Sequence, residues 1–288
     1  MGGCMLCPRR CGADRENGQT GICGADSRIR IARAAPHYWE EPCISGTRGS
    51  GAVFFTGCPL GCVYCQNKAI SAGGAGRAYS VGELARLFES LQAQGVHNIN
   101  LVTPTHYTPQ IVSALDEAHL RVPVVYNCSG YELPETLELL RGRVSIFLPD
   151  FKYADGTLAK RYSHAEDYPD VALAAIEKML ELVGEPKFDH DGMMTSGVIV
   201  RHMVLPNQTD NSMKALRMLR SRFGDSILVS IMSQYTPMPN QTFEELARPV
   251  TDDEYELVLD YADHLGITSG FRQEGGAVGE SFIPDFEV

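Results

Sequence analysis

Three cysteines lie within eight positions of the segment TGCPLGCVYCQN, and no fourth cysteine follows nearby. They are Cys58, Cys62 and Cys65, separated by three residues and then by two. Thiolates suit zinc, copper(I) and iron–sulfur clusters, and such sites normally use four protein ligands. A set of three thiolates therefore predicts a metal centre with one coordination position open to a ligand that is not protein.

Four further cysteines form a second group close to the N-terminus. Cys4, Cys7, Cys11 and Cys23 follow the pattern C-x2-C-x3-C-x11-C. A segment of about twenty residues is too short to form a hydrophobic core of its own, so we expect a metal to hold it together. Four thiolates suit structural zinc or a fully ligated auxiliary iron–sulfur cluster, and the sequence does not separate the two. The alternative is a set of free thiols, one of which contacts the substrate.

The composition limits the setting in which these thiols act. The chain has 288 residues, of which 44% are hydrophobic, enough for one sizeable domain and a small appendage. The net charge of −11 argues against nucleic acid or an anionic membrane as the main partner. There is no apolar run of about 18 residues and no apolar signal segment. We expect a cytoplasmic protein, in which clustered thiols indicate metal ligands or redox groups rather than disulfides.

The elements that must position the three cysteines follow a regular order after residue 50. Short apolar runs predict six strands, at residues 51–57, 98–103, 122–127, 144–152, 196–206 and 226–232. Helices follow the strands, and the capping boxes Ser80–Glu83 and Thr251–Glu254 mark the beginning of two of them. This alternation predicts parallel strands, in a partial (β/α) barrel or an open doubly wound sheet. Chemistry lies at the carboxyl ends of the strands in both, and the three-cysteine loop follows the first strand.

The remaining segments are assigned by composition. We divide the chain into a cysteine-rich N-terminal extension, residues 1–45, and a barrel, residues 46–288. Residues 43–51 are predicted to be a linker, residues 71–78 a glycine-rich loop, and the tail from residue 270 a loop or lid near the barrel mouth. The only tryptophan, Trp39, lies between His37 and Glu40 in a stretch that either lines the substrate site or packs between the two parts.

The C-x3-C-x2-C spacing in a loop after the first strand of a barrel resembles the radical S-adenosylmethionine (SAM) superfamily. The resemblance implies a partial (β/α)6 barrel and a [4Fe–4S] cluster on Cys58, Cys62 and Cys65, with the free iron chelating the amino and carboxylate groups of SAM. It also implies reductive cleavage of SAM to methionine and a 5′-deoxyadenosyl radical that abstracts hydrogen from a substrate. Tyr64, before the third cysteine, is then expected to lie against the adenine.

Three longer segments narrow the resemblance: VFFTGCPLGCVYCQNKAIS, VSIFLPDFKYAD and SGVIVRHMVLPN. They resemble the pyruvate formate-lyase activating-enzyme group, in particular its shorter relatives with a cysteine-bearing N-terminal extension. The resemblance implies an oxidoreductase that receives electrons from flavodoxin or ferredoxin and activates a glycyl-radical protein. Radical modification of another peptide or a small molecule is one alternative. A non-enzymatic electron carrier or a zinc-stabilised binding module is an alternative from another class, which the open coordination position argues against.

The same resemblance assigns roles at the ends of the fourth and fifth strands. Lys152 matches a D-x-K lysine that reaches the SAM carboxylate, and Asp150 of that pattern can help to hold a monovalent cation. Arg201 matches an arginine that also contacts SAM. Charged and hydrogen-bonding walls suit such a ligand. The alternative is that Lys152 and Arg201 are ordinary strand-end charges.

The chain departs from that group after the second and third strands. The group usually carries a Gly-Gly-Glu segment that receives the SAM amino group, and this chain has VTPTHYTP instead. Thr103 and Thr105 can present carbonyls and hydroxyls to the ammonium, while His106 is either a site residue or part of the entry to the next helix. Asn127 and Ser129 replace the Asp-Thr-Asn-Gly stretch of the group, which removes an aspartate of its cation site. Cys128 between them is expected to be a small buried residue.

Overall fold

The fold is described from a computed structural model, which covers residues 3–238, 241–273 and 286. The strands in these ranges are β1 (Ile29–His37), β2 (Ser50–Phe55), β3 (Arg77–Tyr79), β4 (Ile99–Val102), β5 (Val124–Cys128), β6 (Ile146–Pro149), β7 (Lys187–Phe188), β8 (Met194–Met203), β9 (Leu228–Met232) and β10 (Gly270–Arg272). The helices are α1 (Pro42–Ser45), α2 (Lys68–Ser71), α3 (Val81–Ala93), α4 (Thr108–Glu117), α5 (Pro134–Glu138), α6 (Gly156–Ser163), α7 (Tyr168–Val183), α8 (Thr209–Phe223) and α9 (Asp252–His264).

The strands form one open sheet in the order β10-β9-β8-β6-β5-β4-β2-β1-β3, and β7 pairs with β8 beside this path. The run from β2 to β10 is parallel. β1 pairs antiparallel with β2, and β3 pairs antiparallel with β1. The predicted α/β fold with a parallel sheet is confirmed, and the open sheet agrees with a partial (β/α) barrel.

Burial explains why these segments become strands and helices. Every residue of β2, β4 and β6 is buried, as expected of parallel strands that are covered on both faces. α3 places Leu84, Phe88 and Leu91 in the core and begins with the predicted capping box between Ser80 and Glu83. The second capping box, between Thr251 and Glu254, begins α9. The six predicted strands and their helices are therefore present.

Three segments differ from their compositional assignment. Residues 43–51 are not a linker, because they contain most of α1, with buried Cys43, Ile44 and Ser45, and the start of β2. Residues 77–78 belong to the edge strand β3 rather than to a glycine-rich loop. In the C-terminal tail, Gly270–Arg272 form β10, and residues 274–285 of the predicted lid lie outside the described residues.

The N-terminal part of the chain contributes directly to the sheet. β1 precedes the predicted boundary at residues 45 and 46, yet it pairs along β2 from Ile31 opposite Phe55 to His37 opposite Ser50. The pairing carries the chain from the carboxyl end of β2 to its amino end, and α1 then follows. The division at that boundary stays a prediction, and the sheet extends across it. Across the described part of the chain, no helix is both long and apolar enough to span a membrane.

Candidate active site

Thr56 and Gly57 separate the end of β2 from Cys58, the first residue of the three-cysteine loop. Gly57 has a φ of 91°, and a Cβ there would lie 2.6 Å from the carbonyl oxygen of Cys23, so only glycine fits this turn. The backbone N–H of Cys58 donates to that same carbonyl at 3.1 Å. Burial, with Cys62 and Cys65 close by, raises the pKa of the Cys58 thiol to about 12. The loop therefore gathers three free thiols at the carboxyl end of a parallel strand.

All three thiols face a cavity of about 450 Å³. Its wall includes the carboxyl ends of β4, β5, β6, β8 and β9, in agreement with the expected place of chemistry in a parallel sheet. Most of the polar residues that the sequence assigned to SAM also border it: Tyr64, Thr103, Asn127, Ser129, Asp150, Lys152 and Arg201. His37, Trp39 and Glu40 border it as well, so the aromatic stretch after β1 forms part of the cavity wall.

Lys152 borders the cavity and interacts electrostatically with Cys62 and Cys65 of the three-cysteine loop. Its Nζ lies 2.6 Å from Asp150 Oδ2, and both side chains are largely buried. Burial lowers the pKa of Lys152, but Asp150, Cys62 and Cys65 outweigh burial and raise the pKa above its ordinary value. A permanently charged ammonium beside the thiols fits an anionic group such as a carboxylate.

Arg201 is paired with two acidic residues, and its predicted contact with SAM stays a prediction. Its Nε and Nη2 bind Glu41 in a bidentate pair at 2.9 and 2.7 Å, and Nη2 also binds Glu40. Burial opposes ionisation of Glu41, but Arg201 outweighs it and lowers the pKa of that carboxyl. Glu40 Oε1 accepts hydrogen bonds from Asn100 at 2.8 Å and Asn127 at 3.3 Å. This network forms a charged part of the cavity wall, and Arg201 borders the cavity while it is paired with Glu40 and Glu41.

The ring of Tyr64 is fixed by three other tyrosines. It packs edge-on against Tyr153, Tyr162 and Tyr235, with centroid distances of 6.4, 6.1 and 6.1 Å. Burial raises the pKa of Tyr64 well above its ordinary value, so the phenol stays neutral. Tyr64 thus borders the cavity with an immobilised aromatic ring, which suits a flat heterocycle.

The segment after β4 divides between the cavity and the core. Thr103 borders the cavity and has a φ of 57°, a costly conformation for a β-branched residue, while its N–H donates to Asn127 O at 2.8 Å. Thr105 and His106 do not border the cavity: the Thr105 hydroxyl donates to Glu132, and His106 Nε2 donates to Thr56 O at 2.7 Å. Burial lowers the pKa of His106 to about 4, so it is a neutral core residue.

The last two residues of β5 and the serine that follows it border the cavity. Asn127 reaches Glu40, as described above, and Ser129 Oγ is buried with no hydrogen-bond partner among the described residues. Buried hydroxyls are normally paired, so this orphan atom fits a ligand that accepts or donates a hydrogen bond there. Cys128 is buried, as expected, and it also borders the cavity.

The N-terminal cysteines lie together in an N-terminal module, residues 3–28, which contacts the three-cysteine loop through the Cys58 N–H and the Cys23 carbonyl. Cys7 and Cys23 are buried, and burial, followed by nearby negative groups, raises the pKa of Cys7 to about 12. The sulfurs of Cys11 and Cys23 lie 3.0 and 3.5 Å from the position that a Cβ on Gly21 would take, so both are close to this glycine. Within the described residues, no three of the four N-terminal Sγ atoms lie within 4.8 Å of one another. The donor set fits a thiophilic metal or cluster.

Sequence reasoning missed three parts of this site. Glu41 and Asn100 belong to the Arg201 network but lie outside every sequence motif. The one sequence signal for this network is the acidic pair, Glu40 and Glu41, beside the only tryptophan. Ser163 donates from Oγ to Cys62 Sγ at 3.1 Å. Arg9, between two N-terminal cysteines, donates to the three-cysteine loop. Their partners are remote in sequence, so no local pattern identifies them.

A three-cysteine loop at the carboxyl end of the first parallel strand of an open α/β sheet, with a charged cavity beside it, defines a class of radical enzymes. The sequence profile described as the Radical SAM superfamily matches residues 52–219, more than half of the chain. The chain belongs to this superfamily. Membership implies SAM-dependent radical chemistry at a [4Fe–4S] cluster, and the three thiols described above fit such a cluster.

One curated relative and several solved structures are similar to this chain. An uncharacterised protein of Methanocaldococcus jannaschii is 28% identical over 277 residues, which cover 92% of this chain and 75% of the relative. The fold is similar to SuiB of Streptococcus suis bound to its precursor peptide SuiA, with a TM-score of 0.53 and 14% identity over 76% of this chain. It is also similar to a radical SAM methyltransferase of Sphaerobacter thermophilus, with a TM-score of 0.53, 17% identity and coverage of 78% of this chain and 67% of that one. The chain spans less than half the length of SuiB, 46%.

Proposed function

We propose that this protein is an iron–sulfur enzyme that reductively cleaves SAM and uses the resulting radical to abstract hydrogen from a substrate. The observation that carries the proposal is the meeting of Cys58, Cys62 and Cys65 with the Lys152–Asp150 pair on one cavity of about 450 Å³. When bound there, the cluster supplies the electron that splits SAM into methionine and a 5′-deoxyadenosyl radical.

Different residues of the cavity bind different groups of SAM. Lys152 Nζ binds the carboxylate, and Asp150 keeps that ammonium in place. Tyr64 lies against the adenine with a ring that its tyrosine neighbours hold still. The carbonyl of Thr103 and the hydroxyl of Ser129 accept hydrogen bonds from the amino group of SAM. The absence of another partner for Ser129 Oγ among the described residues supports this role. Arg201 acts through Glu40 and Glu41 rather than by direct contact with SAM.

We propose a glycyl-radical protein as the substrate, with flavodoxin or ferredoxin as the electron donor and the cytoplasm as the compartment. The resemblance to the pyruvate formate-lyase activating-enzyme group supports this substrate. The sheet is open rather than closed, which suits entry of a polypeptide segment. A different peptide is the second candidate, favoured by the similar fold of SuiB, whose structure contains a precursor peptide.

The N-terminal cysteines are proposed to bind a second metal centre, either zinc or an auxiliary iron–sulfur cluster. Their four-thiolate donor set supports both. Metal analysis of the parent and of a variant with all four cysteines replaced by serine separates them: one zinc lost, or about four iron lost. No loss of metal would mean that these thiols are free.

The test of the main proposal is SAM cleavage by anaerobically reconstituted protein with dithionite. We expect 5′-deoxyadenosine from the parent and none after Cys58→Ala, Cys62→Ala or Cys65→Ala, because each change removes one of three anchors. Cys43→Ala is the matched control, since Cys43 is buried but does not border the cavity. Cleavage that survives a change in the three-cysteine loop would reject these cysteines as the ligands of the cluster, and a cluster spectrum that does not respond to SAM would favour an electron carrier.

The glycyl-radical part of the proposal has its own test. The reconstituted protein, SAM and reductant are mixed with a candidate glycyl-radical protein, and electron paramagnetic resonance follows the organic radical. A doublet that disappears when the glycine carries deuterium at its α-carbon would support activation. SAM cleavage without any protein radical would favour the other peptide or a small molecule.

A further inference from the structure

Arg9 reaches out of the N-terminal module and binds the loop that carries the three cavity cysteines. Its Nε donates to the carbonyl of Pro59 at 2.9 Å, and its Nη2 donates to that of Leu60 at 3.1 Å. Pro59 and Leu60 lie between Cys58 and Cys62, and Leu60 is buried. The backbone of the three-cysteine loop is therefore held from outside by a side chain that lies between Cys7 and Cys11.

The same guanidinium also binds the end of α6. Nη2 donates to the carbonyl of Ser163 at 2.7 Å, and Nη1 donates to that of His164, the C-terminal cap in the left-handed conformation. A cation is favourable there because the last carbonyls of a helix carry partial negative charge. Ser163 in turn donates from Oγ to Cys62 Sγ at 3.1 Å. Arg9 thus holds both the loop and the residue that hydrogen-bonds one of its sulfurs.

Two further contacts join the module to the same loop. The N–H of Cys58 donates to the carbonyl of Cys23, so one ligand loop is bonded to the other. Arg15 is buried and donates to the carbonyls of Ala25, Asp26 and His106 at 3.2, 2.5 and 2.5 Å. His106 Nε2 then donates to Thr56, two residues before Cys58. The module contacts the loop at its start and again between its first two cysteines.

We propose that the N-terminal module is a positioning element for the three-cysteine loop, and that Arg9 is the residue through which it acts. The inference rests on the proposed function of Cys58, Cys62 and Cys65. A metal bound by the N-terminal cysteines fixes the turn from Cys7 to Cys11 and so fixes Arg9. Without Arg9, the buried carbonyls of Leu60 and Ser163 lose a charged donor, and the loop loosens.

The test compares Arg9→Lys with Arg10→Lys, the same substitution one residue apart. Lysine keeps the charge but cannot match the planar fork that serves four carbonyls. Arg10 is the control, because its guanidinium is half exposed and pairs with exposed Glu135. In protein that lacks only the cluster at the three-cysteine loop, alkylation of Cys58, Cys62 and Cys65 is followed by mass spectrometry. We expect these thiols to react about tenfold faster or more in Arg9→Lys, and at the parent rate in Arg10→Lys.

Iron retention gives a second readout in reconstituted protein. Anaerobic transfer of iron to a chelator should be about tenfold faster or more in Arg9→Lys than in Arg10→Lys. The electron paramagnetic resonance spectrum of the reduced cluster should also change in Arg9→Lys, because Ser163 no longer has a fixed position beside Cys62. Equal alkylation and equal iron release in the two variants would overturn the proposal, although a parent that cleaves SAM would leave the proposed function standing. A parent that binds no iron would reject the proposed function, while the alkylation comparison would still test Arg9.

A double-mutant cycle tests whether the N-terminal metal acts through Arg9. Protein loaded with its N-terminal metal is compared with Cys11→Ser, a conservative change at a half-buried ligand. We expect Cys11→Ser to raise alkylation of the three-cysteine loop as Arg9→Lys does, and to add little when Arg9 is already lysine. Additive effects, or no effect of Cys11→Ser, would overturn the metal-dependent part of the proposal.

Discussion

Lys152 is the residue whose environment is most closely matched to a bound carboxylate. It is a buried cation with Asp150 at 2.6 Å, and two thiols of the three-cysteine loop contribute to its raised pKa. We expect Lys152→Met to weaken SAM binding by about ten- to a hundredfold, because one charge-assisted hydrogen bond is worth roughly 1.5–3 kcal/mol. The measurement is SAM titration of reconstituted protein, followed by the change in the cluster signal.

The control for Lys152 is Lys160→Met, since Lys160 is an exposed lysine paired with Glu166. Both variants should retain the parent iron content, which separates loss of SAM binding from loss of the cluster. His106→Asn should weaken SAM binding much less than Lys152→Met, because His106 bonds to Thr56 before the loop but lies outside the cavity wall. If Lys152→Met binds SAM as tightly as the parent, the assigned contact with the carboxylate is wrong.

Glu132 is a fully buried acid beneath the cavity, and its titration predicts a pH dependence of stability. Burial raises its pKa to about 8, although the Thr105 hydroxyl donates to it at 2.7 Å. The folded protein therefore keeps a proton that the unfolded chain loses near pH 4.5. This contribution to stability is fully present below about pH 4.5, falls as pH rises by up to about 1.4 kcal/mol per pH unit, and is lost above about pH 8.

Glu132→Gln removes that ionisation and should flatten the pH dependence between about pH 4.5 and 8. The free energy of unfolding is measured by denaturant titration at several pH values in this range, for the parent and the variant. Glu135→Gln, at an exposed position three residues away, is the matched control and should keep the slope of the parent. A variant whose difference from the parent is constant with pH would show that Glu132 does not titrate in this window.

The site residues that sequence could identify are those whose partners lie in the same short segment. The three cysteines and the Asp150–Lys152 pair depend on local spacing, and the structure brings them to one cavity. Arg201 is predicted as a SAM contact or a strand-end charge, but its partners Glu40 and Glu41 are about 160 residues away in the chain. Arg9 and His164 are separated by 155 residues. Long-range pairing of this kind is decided by the fold and leaves no periodic signal.

At the scale of elements, the helix starts are the best predicted features. Both capping boxes form, with the Ser80 hydroxyl accepting from Glu83 N and the Thr251 hydroxyl accepting from Glu254 N. We expect Ser80→Ala and Thr251→Ala each to lower the free energy of unfolding by about 1 kcal/mol, because one helix N–H loses its acceptor. Denaturant titration measures this loss.

A substitution away from the cap provides the comparison. Ser90 lies in the last turn of α3, far from the N-terminal cap, and is exposed, so Ser90→Ala should change the free energy of unfolding by less than about 0.5 kcal/mol. If Ser80→Ala costs no more than Ser90→Ala, the capping box does not stabilise α3. Thr251→Ala is compared with the same exposed serine, since both caps are capping boxes.

The strands that the sequence did not reveal are those outside the parallel alternation. β3 and β7 contain three and two residues, too few for a periodic pattern, and β10 follows a glycine-bearing turn. β1 contains nine residues, but Pro36 and the two arginines, Arg30 and Arg33, are more typical of a surface segment than of a strand. Its place is fixed by pairing with β2 on one side and β3 on the other. Tertiary pairing, rather than propensity, makes it a strand.

At the scale of the whole molecule, the N-terminal module is predicted to depend on metal for its stability. Its residues form few regular elements, so ligation replaces a hydrophobic core. Replacement of Cys4, Cys7, Cys11 and Cys23 by serine should lower the midpoint of thermal unfolding and expose the module to limited proteolysis. Differential scanning calorimetry and mapping of protease cleavage sites measure the two effects.

The single changes Cys43→Ser and Cys128→Ser test whether the loss is specific. Both cysteines are buried outside the N-terminal module, so their changes cost stability by burying a hydroxyl but leave residues 3–28 resistant to protease. If protease cleaves residues 3–28 equally fast with and without the four cysteines, the module does not depend on metal.

The pairing of Glu40 and Glu41 with Arg201 also determines when, during translation, the charged wall of the cavity can form. The ribosome completes the three-cysteine loop more than 130 residues before Arg201 emerges in β8, so the charged wall of the cavity cannot assemble during that interval. We expect nascent chains to leave Cys58, Cys62 and Cys65 accessible to the cellular machinery that delivers iron and sulfide until β8 joins the sheet. Thiol labelling of ribosome-bound chains of increasing length should show protection only after Arg201 has left the exit tunnel. Slow translation before β8 would therefore lengthen the time available for cluster delivery.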